Sequence, residues 1–221
     1  MTINQRKRQG QLARKAAQAS AKAKAMRASA TNRVVGAPGF PSARTWPVHE
    51  ALISDVIQKT RQGTVILSRK SGESIAVAVF LVDTGCLGIK SAFGRLTHAA
   101  AYGDFLARFR DGENFVQARP ECLRKLVEGA LAYAAELGFS PDPDYHSVKA
   151  LFGDLNPGDC EQEFEFGEDG KPYYVSGPND SPARIRAVMN QLSRKCGGPE
   201  GFHFMIASQS GFDDDFMELE E

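Results

Sequence analysis

The chain has 221 residues, of which 42% are hydrophobic and 24% charged, and its formal net charge is zero. Such totals suit one globular domain or two small ones with a substantial core, and no apolar run approaches the ~18–20 residues of a membrane-spanning helix. The neutral total conceals a partition: residues 1–49 carry ten Lys or Arg and no acid, whereas residues 50–221 hold 17 bases against 27 acids.

Nine of the ten bases lie in residues 1–33: Arg6, Lys7, Arg8, Arg14, Lys15, Lys22, Lys24, Arg27 and Arg33. So much charge with so little apolar surface cannot fold alone. Residues 11–30 nevertheless lack Pro and Gly and are mostly Ala, Lys, Arg and Gln, all strong helix formers. An isolated helix of this length is marginal in water, and a polyanion that neutralises the repulsion would complete it. The segment reads as a nucleic-acid-binding arm, disordered or helical on binding, with RNA or a ribosome as its partner. A solvated tail and an organelle transit peptide share this composition. Apart from Met1, Ile3, Leu12 and Met26 are its only bulky apolar residues, which argues against a membrane partner. No apolar signal core follows it, so a cytoplasmic location is expected.

Residues 34–48, rich in Pro and Gly, read as a linker to a single globular domain over 49–211. Leu52, Ile53, Val56 and Ile57 fall on one helical face, and Gly63 lies just beyond it. Residues 64–82 predict a hairpin around Lys70-Ser71-Gly72-Glu73; its second strand, apolar on both faces, should be central. Phe93, Leu96, Ala100, Phe105 and Phe109 suggest a helix over 91–110.

The clearest helix is 121–137, with Pro120 in its first turn, a stripe of Leu123, Leu126, Val127, Ala130, Leu131, Ala134 and Leu137, and Gly138 as C-cap. A shorter helix covers about 144–152 and stops at Gly153. Residues 163–176 predict a second hairpin turning at Glu168-Asp169-Gly170. Ser181 and Pro182 open a helix whose face is Ile185, Val188, Met189 and Leu192, and Gly197-Gly198 ends it. "FHFMIA" follows as a C-terminal strand, and residues 212–221 form an acidic tail with six acids. The order implies an α+β fold: a mixed or antiparallel sheet built from the two hairpins and the C-terminal strand, packed with amphipathic helices.

No Gly-rich phosphate loop, zinc-protease helix or nucleophile elbow is present, and no cofactor or metal is implied. Asp83 follows a buried strand and precedes a Gly-bearing turn, where a carboxylate either caps the turn or holds a divalent cation. Asp144, His146 and Asp154, among the acids of residues 142–161, are the accompanying catalytic candidates. Ser181, Arg184 and Arg186 surround a helix N-terminus able to take an anion, with Asp180 as a competitor. Cys86, Cys122, Cys160 and Cys196 have no close spacing, and reduced thiols are expected. The function implied is that of a non-enzymatic RNA-binding or ribosome-associated protein anchored by its arm. The alternative is a small metal-dependent hydrolase or nuclease using Asp83 and the acids of 142–161.

Overall fold

The computed structural model describes residues 40–177 and 180–206. The arm with all nine of its bases, residues 34–39 and the acidic tail lie outside the described residues. Residues 40–47, read as linker, belong to the packed body, since Phe40 and Ala43 are buried.

The fold is α+β. Strands β1 (Val48–Ser54), β2 (Gln62–Ser71), β3 (Ser74–Asp83), β4 (Gly88–His98) and β5 (Phe115–Gln117) form one antiparallel sheet in the order β4-β3-β2-β1-β5. The hairpin of β2 and β3 is the predicted one. Its register closes at Ser71 opposite Ser74, and Gly72 (φ +55°) takes the positive φ that the first position of a tight two-residue turn requires.

Side chains alternate across β3 into two cores. Ala76, Ala78, Phe80 and Val82 enter one, with Leu123, Leu126, Val127 and Ala130 of helix α3 (Pro120–Glu136) above them. Ile75, Val77 and Val79 enter the other, under Tyr102, Phe105, Leu106 and Phe109 of helix α2 (Ala99–Arg110). Helices on both faces explain why β3 is apolar throughout. Helix α4 (Tyr145–Val148) and the 3-10 turn Lys149–Phe152 also cover the first face. Arg69, itself buried, fastens them to β2 by donating to the carbonyls of Leu151 (2.8 Å), Phe152 (2.8 Å) and Trp46 (2.6 Å). The chain turns away at Gly153 (φ +55°), where any Cβ would meet the Arg44 carbonyl.

Four further expectations are corrected. Residues 48–54 form β1, not a helix, and only Ile57–Thr60 turn helically, as α1. Ala51 and Ile53 pack in one core while Leu52 packs in the other, so the run is buried on both faces of a strand. Residues 91–98 continue β4, and α2 starts only at Ala99, where His98 Nδ1 accepts the Ala100 N–H. Gly94 suits that strand, because a Cβ there would lie 2.6 Å from the Phe40 ring. In residues 163–176 the turn forms, with Asp169 at φ +51° and Gly170 at φ +74°, but only the bridge Glu168–Lys171 follows it. Strand β6 (Tyr173–Val175) instead pairs in parallel with β7 (His203–Met205), across helix α5 (Pro182–Lys195).

The fourth correction is chemical. Cys122 and Cys160 form a disulfide with their Cα atoms 4.9 Å apart, while Cys86 and Cys196 are free. Two cations bring the partners together: Arg119 donates to the Asp159 carbonyl (3.0 Å) and Lys125 to that of Cys160 (3.2 Å). No helix of the described residues is long and apolar enough to cross a membrane.

Burial has a consequence for all five tyrosines of the chain. It raises Tyr133, Tyr145 and Tyr173 to about 12 and lifts Tyr102 and Tyr174 as well. A raised phenol stabilises the fold fully below the ordinary value of about 10, and that contribution is lost as pH climbs from there. An absorbance titration should therefore show no phenolate step near pH ~10 in the folded protein. Ionisation should arrive above it, together with loss of the near-UV circular dichroism. Tyrosines titrating reversibly at the ordinary value, with the fold intact, would contradict this packing.

Candidate functional site

Asp83 ends β3, and its carboxylate is buried. Oδ1 accepts the N–H groups of Cys86 (2.8 Å) and Leu87 (3.1 Å), while Oδ2 lies 4.0 Å from Lys90 Nζ. Lys90 reaches it because it is the extra residue of a bulge: Ser91 pairs with Leu81 and Ile89 with Val82, leaving Lys90 opposite nothing. Its ammonium also donates to Gln62 Oε1 at 3.4 Å. Desolvation raises the Asp83 carboxyl, more than Lys90 and the N–H donors lower it. A carboxylate enclosed this way anchors its turn.

That turn docks the C-terminal unit. Thr84 C=O accepts from Gly167 N–H (2.8 Å) and Gly85 C=O from Tyr173 N–H (2.9 Å), and Cys86 and Leu87 pack with Tyr174, Val188, Leu192 and Phe202. A Cβ on Gly85 would run into the Tyr173 carbonyl. The two segments "FLVDTGCLGIK" and "GKPYYVSG" are thus two sides of one contact.

The other candidates lie elsewhere and are tied locally. Asp144 precedes α4 and donates its N–H to Asp142 Oδ1 (3.0 Å), and His146 is exposed with its ring edge-on to Tyr145. Asp154 accepts from Arg69 Nη2 (3.1 Å); its own N–H, then Arg69, hold its carboxyl below the usual range. Asp159 accepts from Asn156 Nδ2 (2.9 Å). Among the described residues no three His, Cys, Asp or Glu side chains gather as metal ligands. Asp83 and the acids of 142–161 therefore form no common metal site there.

Ser181 is the N-cap of α5, its Oγ accepting the Arg184 N–H (3.2 Å). The chain supplies its own anion beside it. Asp180 Oδ2 accepts from Gly177 N–H (2.8 Å) and Tyr174 O–H (3.2 Å), and Oδ1 lies 3.4 Å from Arg184 Nε. Arg186 is exposed on the next turn. Asp180, the competitor read from the sequence, is thus paired with the Arg184 side chain at the start of α5.

A groove that sequence reasoning misses lies at the β5 edge of the sheet. It encloses about 420 Å³ over Ile53, Ile57 and Val116, between Phe164 and the wall that carries Cys122. Ser54 lines it, buried, and its Oγ has no hydrogen-bond partner among the described residues. Asp55, Glu161 and Arg119 stand at its mouth. An apolar floor with a few polar groups, in a volume of this order, is the make-up of a binding cleft. Three stretches far apart in sequence, 53–58, 116–122 and 161–164, build it, and β5 is only three residues long. No local sequence signal marks it: Val116, flanked by Phe115 and Gln117, is half-exposed there.

The chain matches no protein-family model, no curated protein and no solved structure.

Proposed function

We propose that this is a non-enzymatic, RNA-binding or ribosome-associated protein, anchored to its polyanion by the arm of residues 1–33. One observation carries the reading: nine Lys or Arg and no acid in those residues, attached to a body with an excess of acids. Each arm cation that meets a phosphate displaces a condensed counterion, which supplies affinity without base-specific contacts. The body, negative on balance, is a poor surface for phosphate by itself, so the division of labour follows from the charges.

Fluorescence anisotropy with a single-stranded RNA oligomer tests it. Replacing the nine arm bases by Gln in the full chain should abolish binding at low salt. Equal affinity of the parent and the neutralised chain would overturn the reading.

A further inference from the structure

We propose that the groove beside β5 docks an extended segment of a partner protein, apolar at alternate positions and carrying Lys or Arg between them, which adds to the sheet as a sixth strand. The backbone is set for this. Ala118 N–H donates to the Ala51 carbonyl (2.9 Å) and Asp55 N–H to the Asn114 carbonyl (3.0 Å). In an antiparallel ladder these bonds alternate, so Val116 faces Ile53, and Phe115 and Gln117 turn their N–H and C=O groups outward. No described residue takes them. The two outward residues are one strand period apart, the spacing an added strand meets.

The side chains select the occupant. Val116, 51% exposed, shares the groove floor with Ile53 and would lie under an apolar side chain of the incoming strand. Ser54 Oγ, buried and unpartnered, offers a further polar contact in the same cleft. At the mouth Arg119 is engaged by the Asp159 carbonyl and by Glu121, 3.8 Å away. Asp55 and Glu161 are exposed, and neither forms an ion pair with a described residue. The unneutralised charge is negative, so it attracts a basic segment and repels a phosphate backbone. An unprotected edge with an exposed valine is otherwise a liability in a sheet. The inference stands independently of the RNA reading.

The test is anisotropy of the full chain with labelled Ac-KVKVKV-NH2. The comparisons are the same peptide N-methylated at alternate residues, an acidic Ac-EVEVEV-NH2 and a single-stranded RNA. The basic peptide should bind saturably; the N-methylated peptide should bind at least about tenfold more weakly, the loss expected from one or two strand hydrogen bonds, and the acidic peptide more weakly through repulsion by Asp55 and Glu161. Gln117→Pro removes an outward N–H at an edge position without changing charge, and should weaken the peptide by about tenfold. Asp55→Asn with Glu161→Gln should weaken it chiefly at low salt. If Gln117→Pro unfolds the protein, the N-methylated peptide alone decides. Absence of saturable binding, or indifference to N-methylation, overturns the proposal. So does parent affinity in folded Gln117→Pro, which would place the peptide on the acids of residues 212–221. Competition by RNA for the groove, lost in Gln117→Pro, would also overturn it.

Discussion

Asp83→Ala should destabilise the protein by about 3–5 kcal/mol, the range for removing one partner of a buried ion pair. Two effects combine. The N–H groups of Cys86 and Leu87 lose their acceptor, and Lys90, whose side chain is only 9% exposed, loses its counter-charge. Asp83→Asn keeps an oxygen for the two N–H groups and relieves the desolvated charge, so it should lose less, roughly 1–2 kcal/mol. Because the turn holds the C-terminal unit through Thr84 and Gly85, amide exchange in α5 and β6 should accelerate alongside the global loss. Urea unfolding of the three chains checks the order. A neutral or stabilising Asp83→Ala, as expected when a functional carboxylate is relieved of strain, would refute the turn-anchor role.

Removing the disulfide is the second large perturbation. Cys122 and Cys160 are 38 residues apart, and closing a loop of that length restrains the unfolded chain by about 3–4 kcal/mol in the chain-entropy description. The double substitution Cys122→Ala with Cys160→Ala should lower stability by an amount of that order. It should also loosen the wall of the groove, since Cys122, Glu161 and Phe164 line it. Thiol titration gives a direct check: two reactive thiols in the denatured, unreduced protein, and four after reduction. Four thiols before reduction would remove the bond from the account.

Legibility in the sequence followed the strength of local signals. The β2–β3 hairpin is readable because β-rich runs flank a Gly that the turn needs. Helix α3 has Pro120, a regular stripe and Gly138 at φ +84°, all local and mutually consistent. Helix α5 was equally plain, from Ser181 to Gly197. Strand β1 reads as helix because Leu52 and Ile53, with Val56 and Ile57 beyond its end, satisfy helical spacing as well as a strand buried on both faces, and the end of β4 does so because Phe93 and Leu96 run on into the stripe of α2. Only pairing with β2 and β3 breaks that tie, and pairing is not local.

The same limit applies to the sites. Asp83 could be singled out as either turn cap or ligand, but its enclosure depends on a bulge in β4 that no residue type announces. Ser181, Arg184 and Asp180 were readable together, since one helix N-terminus contains all three. The disulfide spans a loop whose closure depends on Arg119 and Lys125 reaching carbonyls about forty positions away. The groove draws on β1, α1, β5, α3 and the loop at 161–164, and no single stretch carries its pattern.

The salt dependence of RNA binding tests the central claim most directly. Log affinity of the full chain for a single-stranded oligomer, plotted against log salt, should fall with a slope of about −0.7 per phosphate contacted. If all nine arm bases engage, the slope is about −6. Replacing those nine by Gln should bring it close to zero. A shallow slope in the parent chain, or a steep one that survives the replacement, would contradict an arm that anchors this protein to a polyanion.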